Sequence, residues 1–324
     1  MTSTLDHSNL RPALRLLYVA AGAIVLLMST LAAAQEKPAP AAAAAQKSFA
    51  TARQAAEALV AAADTFDRPA LKAILGPESD FLVAAGEPAQ DRAGAAAFAA
   101  RAREKLTVVT DPTSQDRATL SLGKDDWPFA IPIVRTGGAW RFDSPAGREE
   151  LLNRRVGENE LDAIRICRGY VEAQHEYALV KREGQRVNQY AQRVISSAGK
   201  QDGLAWQNPD GTWGGPVGEN IARAIELGYS DKAKPYHGYY FKVLRGQGPA
   251  APMGEMDFVV KGLMIGGFAL VAAPAEYGAT GVMTFIVSHD GVVYQKDLGA
   301  ETASAFKTME RFNPDGTWSP VLDK

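Results

Sequence analysis

The sequence has a single cysteine, Cys167, among 324 residues. One cysteine cannot form an internal disulfide, so packing must stabilise the folded chain. Its neighbours at helical spacing are the apolar Leu161, Ile164 and Val171, which favours a buried thiol over a nucleophile. The formal net charge of −2 supplies no excess of positive charge to attract nucleic acid or an anionic bilayer.

Signatures of common catalytic sites are missing as well. The chain has no HExxH motif, no paired histidines at metal-ligand spacing and no DxDxDG loop, so we predict neither a metal site nor a cofactor. It also lacks the GxSxG, GxGxxG and GxxxxGK[ST] patterns. These absences favour a binding module over an enzyme and leave no catalytic residue assigned.

Residues 1–34 have the order of a secretory signal. Arg11 and Arg15 precede an apolar run over residues 16–31, and small residues follow just before Gln35. We therefore predict a periplasmic or secreted protein. Residues 16–34 also approach the length of about 20 residues that spans a bilayer, so an uncleaved inner-membrane anchor stays open. The alanine and proline content of residues 35–47 predicts a tether.

Residues 48–157 predict an N-terminal α+β domain. Alanine-rich helical patterns come first, and strand-like stretches follow, with Gly137 and Gly138 as a hairpin signal. Asp143 and Pro145 then signal the start of a helix. This order of helices and antiparallel strands is similar to that of the cone-like nuclear-transport-factor-2 folds, which host enzymes and binding modules alike.

Residues 158–324 predict a second α+β domain, with a long helix followed by an antiparallel sheet. The helix is expected to run from Glu158 to about Val180, and a second helical piece over residues 189–195. Strand patterns fill most of the remainder, and Asp290 and Gly291 form a hairpin signal. The expected boundary between the two domains lies between residues 157 and 158.

Candidate binding residues lie in the aromatic stretch PYHGYYFKVL, residues 235–244. Strand alternation places His237 and Tyr239 on one face and Tyr236 and Tyr240 on the other. A central strand covered on both sides is the favoured interpretation. If one face is open, the tyrosines contribute to a ligand site and His237 acts as a base or ligand.

A second candidate pair, His289 and Asp290, lies in the segment SHDGVV. Turn chemistry predicts an exposed turn histidine there. The alternative is a hydrolase site, in which His237 or His289 works with a nearby carboxylate such as Asp290 or Asp202.

Several long segments resemble the bacterial domain-of-unknown-function family 2950. They include DDWPFAIPIV, GGAWRFDSPAGREELLNRRVGENEL, YVEAQHEYA and MIGGFALVAAPAEYGATGVMTFIVSHDGVVYQKDLG. The resemblance covers residues 48–321 and implies an exported protein, and it assigns no catalytic residue. The C-terminal order of a long helix, HGYYFKV and a closing hairpin is also similar to the soluble heads of pilin-like proteins.

The leading hypothesis is an exported envelope protein that serves as a non-catalytic binding or interaction module. Its partner is a protein or a small molecule, and it meets the membrane only through the N-terminal segment if that segment is uncleaved. Two alternatives stay open: an envelope hydrolase, and a pilus or secretion accessory subunit.

The hexapeptide NPDGTW occurs twice, at residues 208–213 and 313–318. The flanking sequences differ, which argues against an extended duplication. Asn, Pro, Asp and Gly each suit their position in a type I turn. We predict two tight turns with both tryptophans at least half buried.

Overall fold

The computed structural model describes residues 46–83, 88–217 and 235–322. Residues 44–324 group into one compact unit. The described α-helices are α1 (Ala52–Asp64), α2 (Arg68–Leu75), α3 (Asp80–Val83), α4 (Pro88–Glu104), α5 (Ser144–Tyr177) and α6 (Thr302–Thr308). Short 3-10 helices cover Pro77–Ser79 and Gly299–Glu301.

The described strands fall before and after α5. Those before it are β1 (Leu106–Asp111), β2 (Ser114–Leu122), β3 (Trp127–Pro128), β4 (Ile133–Thr136) and β5 (Ala139–Phe142). Those after it are β6 (Arg193–Ile195), β7 (Gly203–Gln207), β8 (Trp213–Gly214), β9 (Tyr239–Leu244), β10 (Gly246–Gln247), β11 (Met256–Asp257), β12 (Val259–Val260), β13 (Leu263–Met264), β14 (Ala269–Pro274), β15 (Met283–Ser288), β16 (Val293–Asp297), β17 (Arg311–Phe312) and β18 (Ser319–Pro320). Helices combined with largely antiparallel sheets confirm the α+β class.

The N-terminal sheet has the strand order β1-β2-β4-β5, and β3 pairs with β2. Gly137 and Gly138 connect β4 to β5 with φ values of 61° and 81°, which confirms the predicted hairpin. Glycine adopts positive φ at both positions without the strain that a Cβ brings. Helix α1 packs on this sheet through its buried Ala55, Ala56 and Leu59. These contacts form the first hydrophobic core.

Helix α5 connects the two sheets. It begins after Asp143, whose side chain accepts a hydrogen bond from the Ala146 N–H at 3.2 Å, and Pro145 lies in its first turn. Its 34 residues span about 51 Å. The helix continues through Gly157, so the predicted domain boundary falls inside it. The division into two domains therefore stays a prediction.

The C-terminal sheet has the order β18-β16-β15-β14-β9 and is antiparallel throughout. Helix α5 packs on it through β14 and β15, with Cys167 and Tyr170 buried in this second core. Side chains of β9 alternate between two faces. Tyr239 and Phe241 are buried in the same core, whereas Tyr240 points to the face where Phe306 of α6 packs, with ring centroids 6.3 Å apart. Both faces of β9 are covered, in agreement with the favoured interpretation.

The strand predicted in the stretch PYHGYYFKVL, residues 235–244, does not include the first residues of that stretch. Strand β9 starts at Tyr239, and His237 has a φ of 45°, which is incompatible with an extended strand. The expectation that His237 shares a strand face with Tyr239 is therefore wrong. The pair His-Gly forms a two-residue hairpin turn instead of the first part of the strand.

The predicted helical piece over residues 189–195 is also wrong. Residues Arg193–Ile195 form β6, which pairs in parallel with β7. The buried side chain of Gln174 binds both the N–H and the carbonyl of Ala191, each at 2.8 Å. The Tyr190 N–H donates to the Met264 carbonyl at 2.8 Å. These backbone groups are thus bonded outside the segment and cannot form helical hydrogen bonds.

The predicted signal of residues 1–34 lies outside the described residues, as does most of the tether. The last two tether residues contact the folded chain. The Lys47 N–H donates to Ala73 O at 2.7 Å, and the Gln46 amide donates to Phe142 O at 2.7 Å. Across the described ranges, no helix combines the length and the apolar character needed to cross a membrane.

The two hexapeptides form different turns. In the first copy the Gly211 N–H donates to Asn208 O at 2.9 Å, which is the predicted turn. In the second copy the bond runs from the Trp318 N–H to Asp315 O at 3.0 Å, so the turn lies two residues later. Asn313 instead accepts a hydrogen bond from the backbone of a neighbouring loop. Both tryptophans are mostly buried, as predicted.

Candidate functional site

The hairpin turn before β9 brings His237 onto α5. His237 and Gly238 have φ values of 45° and 73°, and Tyr236 and Tyr239 exchange backbone hydrogen bonds of 3.0 and 2.9 Å across them. Positive φ at both central positions defines a type I′ turn. The Nδ1 atom of His237 contacts a carboxylate oxygen of Asp162 on α5. The turn and the helix are thereby joined.

The His237 and Asp162 pair is a histidine–carboxylate contact of the kind that the hydrolase hypothesis requires. Asp162 also contacts Arg165, and the His237 side chain is 47% exposed. The groove beside the pair is lined, as far as the structure describes it, by side chains that include no serine, threonine or cysteine. A Cβ on Gly238 would lie 2.6 Å from Asn159 Nδ2, so the turn rests tightly on α5. The pair fastens the turn to the helix, and the hydrolase hypothesis stays a prediction.

His289 and Asp290 are adjacent but do not form a pair. The His289 ring is partly buried, and it packs edge-on against Phe258 and Phe268 with centroid separations of 5.7 and 6.2 Å. Asp290 accepts hydrogen bonds from Ser288 Oγ at 2.8 Å and from the Val292 N–H at 3.2 Å. The carboxylate therefore stabilises the hairpin turn. The expectation of a simply exposed His289 is wrong because two phenylalanines cover its ring.

The two candidate tyrosines serve different contacts. The Tyr236 ring lies 4.3 Å from the His237 ring, measured between centroids. The Tyr240 ring is partly buried beside Phe306 on the other side of the sheet. These two side chains do not line a common site.

The candidate residues also separate along the sheet. His237 precedes the first residue of β9. His289 follows Ser288, the last residue of β15. Ser288 and Leu244, the last residue of β9, both pair with Ala269 of β14, so His289 lies near the opposite end of β9. One strand of six residues therefore separates them, or roughly 17 Å. The structure does not assemble the predicted residues into one site.

A pocket that we did not predict lies in the N-terminal part, between α4 and the sheet. Its volume is about 500 Å³. Most of the lining side chains are apolar, and they come from several elements. They are Leu59, Ala63, Phe66, Leu71, Leu75, Leu82, Val83, Ala95, Ala97, Phe98, Leu122, Trp127 and Phe129. Phe98 and Phe129 pack together with ring centroids 5.1 Å apart. The pocket can therefore bury a small apolar molecule against aromatic rings.

The polar groups of this pocket lie on α4. Asp91 and Arg101 are the charged residues among the described lining. The Arg101 guanidinium is paired with Asp125 at 2.6 Å and lies 5.5 Å from the Trp127 ring. The Asp91 Oδ2 atom is shielded from solvent and has no hydrogen-bond partner in the described part of the chain. Arg101 therefore has an ionic partner, whereas the Asp91 Oδ2 atom has no hydrogen-bond donor among the described residues.

The composition of α4 is the sequence signal that could have revealed the pocket. In PAQDRAGAAAFAARARE, Phe98 is the single large apolar side chain. A helix with so few large apolar residues cannot fill the space above a sheet, and Gly94 and Ala95 face the resulting void. Helix propensity alone does not reveal this space.

A second, polar cleft of about 610 Å³ lies beside the loop that follows α5. Its charged lining residues are Glu183, Arg193, Lys200, Asp202 and Arg245. Asp202 accepts hydrogen bonds from the Ser197 backbone and side chain at 2.7 and 2.9 Å, which shape the loop. Among the described residues, no group of three or more histidine, cysteine or acidic side chains is arranged to hold a metal ion.

The chain is thus an α+β protein in which one long helix connects two antiparallel sheets, with a largely apolar pocket under α4. The family model described as "Protein of unknown function (DUF2950)" matches residues 46–321. The chain belongs to this family, which confirms the predicted resemblance. No match was found among curated proteins or among solved structures. The likeness of the C-terminal part to pilin heads stays a prediction.

Proposed function

We propose that this protein is an exported envelope protein that binds a small apolar molecule in the pocket under α4. Export is supported by the basic and apolar pattern of residues 1–34. A role in binding is supported by the absence of common catalytic motifs in the sequence and by the pocket itself. We infer a periplasmic or secreted location, or attachment to the inner membrane through residues 16–34.

The pocket is the observation that carries this proposal. Its volume of about 500 Å³ lies within the range of roughly 300 to 1,000 Å³ of small-molecule sites. Its largely apolar lining distinguishes it from the polar cleft of about 610 Å³ beside the loop that follows α5. Phe66, Phe98, Trp127 and Phe129 provide rigid apolar walls.

The expected affinity follows from the apolar surface that a ligand buries. Burial of about 200 Å² contributes about 5 kcal/mol at 25 cal/mol per Å². Further aromatic contacts add to this value, and the loss of translational freedom opposes it. We expect dissociation constants between about 1 μM and 1 mM for simple apolar molecules.

Filling the pocket tests the proposal. Ala95 lines the pocket, whereas Ala96 is exposed on the same helix outside it. Ala95→Phe should place its ring in the pocket and weaken the binding of a fluorescent naphthalene derivative at least tenfold. Ala96→Phe is the matched control and should bind within twofold of the wild type.

Titration of the full-length protein with the fluorescent compound measures these affinities. Thermal unfolding of both variants shows whether each one is folded. If the folded Ala95→Phe variant binds as tightly as the wild type, the compound lies elsewhere and the pocket is not its site. If the wild type binds no apolar compound below about 1 mM, the proposed function is wrong.

A further inference from the structure

We propose that the pocket under α4 selects apolar molecules that carry a carboxylate, and that the guanidinium of Arg101 receives this carboxylate. The inference rests on the proposed function, because it assigns the class of ligand for the same pocket. It makes Arg101 a specificity-determining residue.

Arg101 lies on the face of α4 that lines the pocket. Gly94, Phe98 and Arg101 follow one another at spacings of four and three residues, and all three line the pocket. Residues three and four apart are neighbours on one side of a helix, so Arg101 continues the stripe that carries the Phe98 ring. Arg103 lies outside the described lining, and its guanidinium pairs with Asp64.

The Arg101 guanidinium lies against an aromatic wall of the pocket. Its Cζ atom is 5.5 Å from the centroid of the Trp127 ring, and Trp127 lines the pocket. The Cζ atom of Arg154 is 5.7 Å from the same ring, but Arg154 is not part of the described lining. Of these two cations, Arg101 is therefore the one that borders the pocket. A positive charge thus lies at the Trp127 end of a largely apolar space.

Arg101 keeps hydrogen-bond donors for a ligand. A guanidinium has five N–H donors. Within the described part of the chain, the Arg101 side chain makes one hydrogen bond, from Nη2 to Asp125 at 2.6 Å. The side chain is 44% exposed, so a bound molecule can reach it. Ion pairs between exposed side chains are weak, so a ligand carboxylate can share the guanidinium with Asp125 or displace Asp125 from it.

The chemistry of a guanidinium determines which ligand head binds beside it. A guanidinium only donates hydrogen bonds, and it can bind a carboxylate through two parallel N–H···O bonds. A hydroxyl accepts a weaker bond because it carries no charge. A protonated amine cannot accept a hydrogen bond, and the like charge repels it. The expected order of affinity is acid, then alcohol, then amine, for heads carried on the same apolar body.

Three naphthalene derivatives test this order on the full-length protein near neutral pH. Naphthoic acid, naphthalenemethanol and naphthylmethylamine share one ring system and differ in the head. For the wild type we expect the acid to bind at least fivefold more tightly than the alcohol, and the amine to bind most weakly. Fluorescence titration measures all three dissociation constants.

Two variants assign the preference to the guanidinium. Arg101→Gln combined with Asp125→Asn removes the guanidinium and leaves the net charge beside the pocket unchanged. We expect this double variant to weaken the binding of the acid at least fivefold and to change the binding of the alcohol less than threefold. Asp125→Asn alone removes the competing carboxylate and keeps Arg101, so it should strengthen the binding of the acid at least twofold.

Arg103→Gln combined with Asp64→Asn is the matched control. Arg103 lies on the same helix and forms the same kind of exposed ion pair with Asp64, outside the described pocket lining. The control removes the same two charges and should leave the preference for the acid unchanged. Thermal unfolding shows whether each variant is folded.

The outcomes separate this inference from the proposed function. Equal binding of acid and alcohol by the wild type overturns the role of Arg101 while the apolar pocket stands. An acid preference that survives in the folded Arg101→Gln and Asp125→Asn double variant overturns it too. If none of the three compounds binds the wild type, the proposed function itself fails. If the double variant does not fold, the comparison of the three heads on the wild type still decides the ligand class.

Discussion

Replacing Gln174 with leucine removes three hydrogen bonds from the C-terminal core. Gln174 is fully buried on α5. Its amide nitrogen donates to Ala191 O at 2.8 Å and to the Tyr170 hydroxyl at 2.9 Å, and its oxygen accepts from the Ala191 N–H at 2.8 Å. Leucine is similar in size and favours helices. The substitution therefore isolates the hydrogen bonds.

The expected loss of stability follows from the groups left behind. Ala191 is 1% exposed, so water cannot replace the lost partners of its N–H and carbonyl. Each buried polar group without a partner costs about 1–3 kcal/mol. Burial of the apolar leucine side chain offsets part of this loss of stability. We expect the free energy of unfolding to fall by about 2–4 kcal/mol, a large share of the roughly 5–15 kcal/mol typical of a domain.

Urea unfolding monitored by tryptophan fluorescence measures this loss. Gln192→Leu is the matched control, because Gln192 is only partly buried and its side chain donates a hydrogen bond of 2.7 Å to Gly262 O. Its loss should stay below about 1 kcal/mol. Equal small losses for both variants would refute the view that the hydrogen bonds of Gln174 to Ala191 hold the loop after α5 in place.

Two further predictions concern α5. Gly147→Ala should destabilise the protein despite the higher helix propensity of alanine, because its Cβ would lie 2.5 Å from Ile131 Cγ1. A Cβ at Gly157 meets no atom within 4 Å, so Gly157→Ala should stabilise the protein by about 0.5–1 kcal/mol. If thermal unfolding shows that both variants raise, or both lower, the stability, this geometry is contradicted. Burial raises the pKa of Cys167 to about 12, so the thiol should not react with a disulfide reagent at pH 8 until the protein is denatured, and rapid native labelling would disprove its burial.

Local patterns predicted the secondary structure where local chemistry decides it. The capping Asp143 and the following proline identified the start of α5, and Gly137 with Gly138 identified a hairpin. Apolar content predicted most strands of both sheets, but not β18. The patterns failed at His237 and over residues 189–195. In the first case a His-Gly turn interrupts an aromatic run, and in the second Gln174 binds the backbone of a distant loop.

The candidate site was less accessible to sequence analysis. The hydrolase alternative requires a carboxylate beside His237, and the residue in contact with it is Asp162, not Asp290 or Asp202. The pocket under α4 was missed entirely. The alanines of α4 predict a helix from the sequence alone. The space that their small side chains leave arises only when the helix packs against the other elements of the fold.

By itself the sequence determined the α+β class, the family and the main helices and strands, because these depend on periodicity, caps and turn residues within short windows. Only the tertiary structure decided that α5 runs unbroken between the two sheets and that a largely apolar pocket lies under α4. Both depend on contacts between residues distant in the chain. The Ser144 hydroxyl at the start of α5, for example, donates a hydrogen bond of 2.6 Å to Leu75 O. A pattern within a short window cannot predict a contact between residues so far apart in the chain.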